Sequence, residues 1–400
     1  RRKAASRNEY LVMKKKVIFI SQALWIGGIE TALVNLLNRF DYDKYDVTCL
    51  IVQNSLEMAE RITPKCRLIV ADRDSTASFD KPYKFSRLFG LIQKPQNASK
   101  LRLIIWRVLQ FLLRALELRL YSHYIKKQLR NEHFDTAIIY TNRVSEIAVR
   151  ALEADKFITF FHHGSFRREY HDVWGYKHSR SIVTVSDSIK SQFAQALPKY
   201  ADKLTVIPNI TDVEVIRRKS SEMSVEYPDG FNIVSCGRLD PVKGFDLAIE
   251  ACKLLTDKGI NDFHWHIIGG GPIEAELKKA AADSGAGEHI VFHGMQQNPY
   301  PYMANADLFV QPSRFEGYSL SIMEALALSL PIVATKAAAG EQITDGVNGV
   351  LCDTSAESIA EAVKNLYIGK DEANKYREYL RSYDFERLNN RIIADIESLI

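Results

Sequence analysis

The sequence has no long apolar run and few cysteines, and each shortage excludes a class of protein. No apolar stretch reaches the ~18 to 20 residues that a membrane-spanning helix needs. The N-terminus lacks the apolar core of a secretory signal peptide. The five cysteines are scattered, odd in number and free of C-x-x-C spacing, which argues against a disulfide framework and a zinc site. We therefore expect a protein of the reducing cytosol.

Charge is distributed unevenly along the 400-residue chain. The apolar content of 46% and the charged content of 26% are ordinary for a globular chain of two or three domains. Residues 1–200 contain 34 Lys and Arg against 19 Asp and Glu, whereas residues 201–400 contain 19 against 30. The net charges of the two halves are therefore +15 and −11. A basic half of this size suits an anionic partner such as nucleic acid or a membrane surface.

Short apolar strands alternate with helical segments in both halves of the chain. KKVIFIS, YDVTCLIV and FITFF are typical of the first half, and FNIVSC, HWHII and PIVAT of the second. Such strands, each followed by a helical segment, predict parallel sheets that are covered on both faces. We therefore predict an α/β protein with two doubly wound, Rossmann-like domains at residues 13–212 and 213–384. Residues 1–12, which precede Met13, are expected to be an added leader outside the fold.

The segment at residues 99–130 is an insertion in the first half. It has helical spacing, eight basic residues and a single acid, Glu117. This composition predicts a basic amphipathic helix or helix pair that could lie on an anionic membrane surface. A core helix with a solvated basic face would have the same composition, so that alternative stays open. Nucleic acid is disfavoured as a partner because the chain offers no recognisable nucleic-acid module.

Loops that suit a diphosphate follow the predicted strands of the second half. The loop GRLDPVKG places Gly237, Arg238 and Lys243 at the carboxyl edge of the sheet, where open α/β domains bind ligands. Two fixed cations at that edge would suit a phosphate or diphosphate. The next loop, GGGP, begins at Gly269 and lacks the third glycine of a dinucleotide fingerprint. The sequence shows no acidic or His/Cys cluster with metal-ligand spacing, so we expect no metal site.

Two glutamates of the second half have seven residues between them, in the stretch SRFEGYSLSIMEALALSLPIVAT. Glu316 lies in the turn between a predicted strand and helix, and Glu324 lies about a turn and a half into that helix. A lone pair of this kind is ordinarily one helix N-terminal acid and one exposed helix residue. In the first half, Gly27 and Gly28 precede a helix, where backbone N–H groups can approach an anion.

The order of these motifs resembles a known family. A strand of the first half ends in His162 and His163, followed by Gly164. GGIE, this HHG, GRLDPVKG, IIGGGP and EGYSLSIMEALALSLPIVAT are together similar to glycosyltransferase family 4, retaining enzymes of the GT-B architecture. The resemblance covers nearly the whole chain from Met13, and its last two motifs are the specific ones. It implies two Rossmann-like domains facing a cleft, with a final helix at residues 385–400 crossing back onto the first domain.

The resemblance also implies roles for the residues singled out above. Glu316 would lie against hydroxyls of the donor sugar, and Glu324 would bind the two ribose hydroxyls of the nucleotide. A carboxylate suits a vicinal diol because it accepts two hydrogen bonds. His163 would face the sugar, with His162 as the alternative. The catalytic residues implied are Glu316, His163, Arg238 and Lys243, and the donor-binding residues are Gly27, Gly28, Gly237, Arg238, Lys243, Gly269, Met295, Glu316, Gly317, Tyr318, Ser319, Leu320 and Glu324.

The function implied is transfer of a hexosyl unit, with retention, from a UDP- or GDP-sugar to a saccharide acceptor that could be lipid-linked. The expected pathway is synthesis of a bacterial cell-surface polysaccharide such as a capsule, at the inner face of the plasma membrane. Two alternatives stay open. A nucleotide-sugar 2-epimerase of the same architecture would form product without an acceptor. A non-catalytic, membrane-associated protein would bind the sugar nucleotide and leave it intact.

Activity is expected to survive removal of metal ions. The diphosphate charge would be neutralised by Arg238, Lys243 and a helix N-terminus, so no divalent cation is needed for that purpose. Sugar transfer should be equal before and after exhaustive dialysis against EDTA, measured by release of the nucleoside diphosphate. Parallel reactions with added magnesium or manganese serve as the control. Loss of transfer on chelation, restored by either cation, would contradict the prediction.

Overall fold

The first domain is built on a parallel sheet whose strands are buried apolar runs. The computed structural model describes residues 14–71, 100–162 and 173–400. The strands of this sheet are β1 (Lys15–Ser21), β2 (Tyr45–Ile51), β3 (Arg67–Val70), β4 (His133–Ile139), β5 (Glu153–Phe161), β6 (Ser181–Thr184) and β7 (Leu204–Val206). They lie in the order β3-β2-β1-β4-β5-β6-β7, and all neighbouring pairs are parallel. The predicted leader at residues 1–12 lies outside the described residues.

Helices cover both faces of this sheet, which is why its strands read as continuous apolar sequence. They are α1 (Gly28–Arg39), α2 (Lys100–Gln128), α3 (Ser145–Ala151), α4 (Val173–His178) and α5 (Asp187–Ala196). Leu33 and Leu37 of α1 are fully buried in one core with Phe19 of β1. Ile147 of α3 and Ile125 of α2 are buried in a second core on the opposite face.

The second domain repeats this architecture with a six-stranded parallel sheet. Its strands are β8 (Phe231–Cys236), β9 (Phe263–Ile268), β10 (Ile290–Gly294), β11 (Leu308–Gln311), β12 (Ile332–Thr335) and β13 (Val350–Cys352). They lie in the order β10-β9-β8-β11-β12-β13. Its helices are α6 (Val213–Ser220), α7 (Phe245–Asp257), α8 (Glu274–Asp283), α9 (Tyr300–Ala304), α10 (Leu320–Ala327), α11 (Lys336–Ala339), α12 (Ala356–Ile368) and α13 (Lys370–Arg381). The predicted α/β fold with two Rossmann-like domains is confirmed.

Strand order reverses once in each sheet, and both reversals lie beside predicted site residues. In the first sheet the reversal falls between β1 and β4, and the loop after β1 leads to Gly27 and Gly28. In the second sheet it falls between β8 and β11, and the loops after these strands contain Lys243 and Glu316. Crevices outside the carboxyl ends of strands at such switch points are where open α/β sheets bind ligands.

The C-terminal helix α14 (Phe385–Leu399) begins in the second domain and ends in the first. Phe385 is buried with core residues of the second domain, whereas Ile392 and Ile396 are buried in the first-domain core that contains α1. The Asn389 side chain donates to the backbone oxygen of Thr211 at 2.8 Å, within the connection between the two sheets. The helix therefore fastens the connection to both domains.

Helix α2 has two different parts. Near its C-terminal end, Leu118, Tyr121 and Ile125 are buried against the first domain. Nearer its N-terminal end, apolar side chains spaced three or four residues apart expose between 52% and 66% of their surface: Leu101, Ile105, Val108, Leu112 and Leu116. These five residues form an exposed stripe at about 100° per residue, and Ile104 and Phe111, on the side that carries buried Leu118 farther along, are also exposed.

The two interpretations of the insertion differ in whether the apolar stripe of α2 is buried or exposed. The predicted helix is present, as one continuous helix of 29 residues. A core helix with a solvated basic face would bury its apolar stripe, and within the described residues this helix leaves the stripe exposed. The described helices include none that is long and apolar enough to cross a bilayer. The stripe is therefore an apolar surface on the outside of the first domain.

Replacement of Ile392 by Ala should destabilise the first domain although this residue follows the second domain in the chain. Ile392 is 2% exposed in the first-domain core, so the change leaves a cavity that costs about 2 to 4 kcal/mol. Urea unfolding followed by circular dichroism measures the change in the free energy of unfolding. Ile368→Ala, at an isoleucine that is 68% exposed, is the matched control and should stay within about 0.5 kcal/mol of the wild type. Equal destabilisation by the two changes would mean that α14 adds nothing to that core.

Candidate functional site

Three loops of the second domain meet backbone against backbone at the carboxyl edge of its sheet. Gly244 has a φ of 67°, and a Cβ at this position would collide with the carbonyl oxygen of Pro312. Gly269 has a φ of 146°, and a Cβ there would collide with the carbonyl oxygen of Gly237. Glycine alone tolerates both the conformation and the contact. These contacts, which we call the glycine seam, hold the loops after β8, β9 and β11 in one surface.

Lys243 and Glu316 form an ion pair on this surface. Lys243 Nζ lies 2.6 Å from Glu316 Oε1, and the side chains are 24% and 11% exposed. The same carboxylate oxygen accepts from Ser313 Oγ at 2.8 Å and from Gln311 Nε2 at 3.3 Å. These donors stabilise the charge of a carboxylate that is largely removed from water. The two residues, predicted from separate motifs, are therefore in direct contact.

Arg238 lies at the rim of the same loop. Its side chain is 61% exposed, and its Nε is 4.0 Å from Asp240 Oδ2. The Lys243 side chain, which contacts Glu316, is only 24% exposed. The two predicted cations thus occupy different depths, one at the floor of the crevice and one at its edge. A diphosphate between them would meet a buried charge on one side and a solvated charge on the other.

Glu324 projects from the second turn of α10 and differs from Glu316 in its surroundings. Tyr300 Oη, on α9, donates to Glu324 Oε1 at 3.0 Å. Burial raises the pKa of the Glu324 carboxyl to about 7, and the hydrogen bond from Tyr300 lowers it in part. Tyr300 was not among the sequence predictions, because a tyrosine in a short helix gives no charge, glycine or spacing signal.

The start of α10 carries the backbone N–H groups that were predicted to face an anion. Ser319 is the N-cap residue, and Leu320 is the first helical residue. The N–H of Ser319 donates to Gln342 Oε1 at 2.8 Å, and Gln342 Nε2 donates back to the Ser319 carbonyl oxygen at 2.8 Å. The predicted donors Gly317 and Tyr318 precede this clamp directly. Gln342 therefore fixes the backbone at the mouth of the helix while it occupies one of the predicted donors.

The two domains contact each other across the crevice at Gly28 and at Glu341, and Phe315 also packs against a core of the first domain. A Cβ on Gly28 would lie 3.8 Å from Leu320 Cδ1, so the glycine pair of the first domain faces the start of α10. The carboxylate of Glu341 accepts from the backbone N–H groups of Asp187 and Ser188 at 2.8 and 2.7 Å. These groups belong to the first turn of α5, where N–H groups have no partner within the helix. Both sides of the crevice are thus in contact in this structure.

The first domain contributes a buried acid and an aromatic stack to the crevice. Glu30 Oε2 lies 2.6 Å from the place where a Cβ of Gly27 would be. Burial raises the pKa of the Glu30 carboxyl to about 7, a net value that includes a lowering by a backbone hydrogen bond and a smaller increase from the charge of Glu57. The His162 ring is stacked on Phe160, with ring centroids 5.6 Å apart, and lies tilted against Tyr140 at 4.5 Å. His163, the predicted sugar-facing histidine, lies outside the described residues.

The predicted Met295 lies beside the glycine loop after β9. Its side chain is 69% exposed, and a Cβ on Gly270 would lie 3.6 Å from it. An exposed thioether beside a glycine backbone can pack against one face of an aromatic ring. Among the residues that the structure describes, no three His, Cys, Asp or Glu side chains are grouped as metal ligands.

Two family models match the chain in sequence. The model described as Glycosyltransferase Family 4 matches residues 26–215. The model described as Glycosyl transferases group 1 matches residues 217–383. The first match covers β2 to β7 of the first sheet, and the second covers the sheet with the glycine seam and the two glutamates.

Curated relatives carry names that describe sugar transfer. A Campylobacter jejuni N-acetylgalactosamine-N,N'-diacetylbacillosaminyl-diphospho-undecaprenol 4-alpha-N-acetylgalactosaminyltransferase is 31% identical over 189 residues, which are 46% of this chain and 50% of that protein. A Mycolicibacterium smegmatis GDP-mannose-dependent alpha-(1-6)-phosphatidylinositol monomannoside mannosyltransferase is 35% identical over 145 residues, 34% of this chain and 38% of that protein. The chain spans half or less of the length of these two relatives.

Solved structures share the fold over nearly the full chain. HepE of Anabaena in complex with UDP-glucose has a TM-score of 0.68 at 15% identity, with 96% of this chain and 99% of that chain covered. A mutant form of TarM of S. aureus, crystallised with UDP among its ligands, has a TM-score of 0.64 at 14% identity, with 96% of this chain and 99% of that chain covered. At these identities the likeness concerns the GT-B fold alone.

Proposed function

The chain belongs to glycosyltransferase family 4, and from this premise we propose that it transfers a hexosyl unit, with retention, from a UDP- or GDP-sugar. The observation that carries the proposal is the arrangement of two acids at one switch point. Glu316 is ion-paired with Lys243 at the floor of the crevice, and Glu324 lies on the adjoining helix with a tyrosine as its partner. Retention rests on the family resemblance, since the members that it resembles retain the configuration.

The donor would lie along the crevice with its diphosphate over the start of α10. Lys243 and Arg238 would neutralise its charge together with the partial positive charge of the helix N-terminus. Glu324 would accept from the ribose diol, and the base would lie toward Met295 and Gly269. Glu316, fixed by three donors, would accept from hydroxyls of the sugar. No step in this arrangement calls for a metal ion.

The proposal of a lipid-linked acceptor rests on the relatives and not on the geometry of the crevice. The names of the two curated relatives above contain a diphospho-undecaprenol group and a phosphatidylinositol group. Those names support a saccharide on a lipid as the acceptor class for this chain, in a bacterial cell-surface polysaccharide pathway. The crevice would then work at the inner face of the plasma membrane, where such lipids present their head groups.

We propose that α2 holds the first domain on that membrane. Its exposed stripe supplies apolar surface, and Arg102, Arg107 and Arg119 on the same helix are exposed cations. The first half of the chain also has the net charge of +15 noted above. Exposed apolar side chains and cations on one helix suit the boundary between head groups and acyl chains of an anionic leaflet, where each cation contributes about 1 kcal/mol.

The two acids should differ in what they contribute to the reaction. Glu324→Ala should weaken binding of the nucleoside diphosphate, because a contact with ribose is present in the ground state and the transition state alike. Glu316→Ala should mainly lower turnover, on the order of a hundredfold, because its contacts with the sugar are made at the reacting ring. Calorimetry with UDP and GDP measures binding, and release of the nucleoside diphosphate measures turnover.

Two controls make this experiment decisive. Glu361→Ala, at a half-exposed glutamate of α12 that pairs with Lys258, should change neither quantity. Reactions without acceptor separate transfer from the other two activities on this architecture. An isomeric nucleotide sugar formed without acceptor would establish a 2-epimerase, and tight binding with no product of any kind would establish a binding protein. Wild-type nucleotide affinity in Glu324→Ala would remove the ribose contact from the proposal.

Attachment to membranes is tested by co-sedimentation with vesicles of phosphatidylglycerol or phosphatidylcholine at low and high salt. The wild type should bind the anionic vesicles, and less so at high salt, because counterions screen the arginine side chains. Charge reversal of Arg102, Arg107 and Arg119 to Glu should weaken binding by at least about tenfold. Replacement of Ile105, Leu112 and Leu116 by Ser should weaken binding at both salt concentrations.

The matched control for charge is reversal of Lys253, Lys258 and Lys278 to Glu in the second domain. These lysines are exposed and lie away from α2, so this variant should bind vesicles like the wild type. Equal loss in the two charge variants would mean that net charge alone drives binding. No binding of the wild type to anionic vesicles at any salt concentration would refute the role of α2.

A further inference from the structure

Tyr300 and Glu324 form a pair between two helices of the second domain. Tyr300 begins α9, the short helix that follows β10, and Glu324 lies in the second turn of α10. Tyr300 Oη donates to Glu324 Oε1 at 3.0 Å, and both side chains are partly buried. This hydrogen bond is charge-assisted when the carboxyl is ionised, and such bonds are stronger than those between neutral groups.

The groups that face this pair come from three other elements. The thiol of Cys236, at the end of β8, has a pKa raised first by burial and then by the charge of Glu324. Lys243 acts on the same thiol in the opposite direction. Arg61, from the first domain, acts on Tyr300 by its charge. No salt bridge from Lys or Arg to Glu324 is present among the described residues. The nearest specific partner of the carboxyl in this structure is therefore the tyrosine hydroxyl.

The pair differs from the other acid of the site in a way that matters for binding. Glu316 receives three donors, one of them a lysine, on a single oxygen. Glu324 receives a neutral donor on Oε1. A carboxylate can accept about four hydrogen bonds through its two oxygens, so a diol can be bound while Tyr300 keeps its bond. Protonation would replace one of these acceptor sites by an O–H donor.

We propose that Tyr300 is a positioning residue for the nucleotide, because its hydroxyl holds the Glu324 carboxylate in place and in the ionised form that accepts from a ribose diol. This inference rests on the proposed function, in which Glu324 meets the ribose. It assigns a role in nucleotide binding to a residue other than Glu316 and Glu324. It also predicts that nucleotide affinity depends on pH. Tyr300 acts through Glu324 and needs no contact with the substrate.

The sign of the pH dependence follows from the environment of the carboxyl. Burial raises the pKa of Glu324 to about 7, so the ionised form is lost as the pH falls through that value. Nucleotide affinity should therefore be highest above pH 7 and should decline below it. Tyr300 lowers this pKa, so removal of its hydroxyl raises the pKa further and moves the decline to higher pH. At strongly alkaline pH both proteins hold the ionised form.

The experiment measures the dissociation constant of UDP, or of GDP if the wild type binds GDP more tightly, across pH 5.5 to 9. Tyr300→Phe removes one oxygen atom and keeps the ring. We expect its affinity to fall roughly three- to tenfold at pH 7 and by less than about twofold at pH 9, because a shift of one pKa unit is a factor of ten in protonation. Tyr302→Phe, two residues along the same helix, is the matched control and should follow the wild-type curve.

The ratio of affinities at pH 9 and pH 6 is the decisive quantity, because a uniform loss of folded protein leaves it unchanged. An unchanged ratio in Tyr300→Phe, or tighter binding at every pH, would overturn the role of Tyr300. Glu324→Gln separates this failure from failure of the proposed function. If Glu324→Gln binds weakly with no pH dependence while Tyr300→Phe matches the wild type, the ribose contact stands and the tyrosine is dispensable. If Glu324→Gln binds like the wild type, the ribose contact itself is wrong.

Discussion

Close backbone contact at the glycine seam is the constraint on which the rest of the site depends. The loops after β8, β9 and β11 carry the two cations and Glu316 and lead into the helix that bears Glu324, and they touch at positions where a side-chain carbon cannot fit. Because main-chain atoms meet directly, the loops have little freedom to shift against one another. The short ion pair between Lys243 and Glu316 is then a consequence of loop placement, since each residue lies on a different loop. Electrostatic preorganisation of this kind requires a rigid support.

Glu316, in the loop before α10, and Glu324, within α10, acquire different properties from different surroundings. Glu316 is ion-paired and hydrogen-bonded, and its charge is stabilised where it lies. Glu324 is enclosed beside a tyrosine and a thiol, and its pKa is raised to about 7. Two residues of the same type can serve distinct roles in one site because their environments differ. The spacing of the two acids in the sequence determines their positions. The elements packed around them determine their burial and their hydrogen-bond partners.

Strands and loops of the site were predictable because their signals are local. Parallel strands that are buried on both faces read as apolar runs, and glycine and lysine mark the turns that follow them. A helix was predicted to follow Gly27 and Gly28, and α1 extends from Gly28 to Arg39. Tyr300, Glu341 and Gln342 were not predictable, because polar residues of these types are common and their partners lie far away in the chain. The periodicity of α2 indicated a stripe, but which side packs depends on the domain beneath it.

The adjacency of Glu341 and Gln342 has a mechanical consequence. Glu341 holds the first turn of α5 in one domain, and Gln342 holds both backbone polar groups of Ser319 in the other. Consecutive Cα atoms are about 3.8 Å apart, so the two grips are linked in series by a single peptide unit. A force that separates the domains must therefore break the two bonds to Glu341 or pull, through this peptide, on the mouth of α10. The dipeptide therefore connects the first turn of α5 in the first domain directly to the N-cap of α10 in the second.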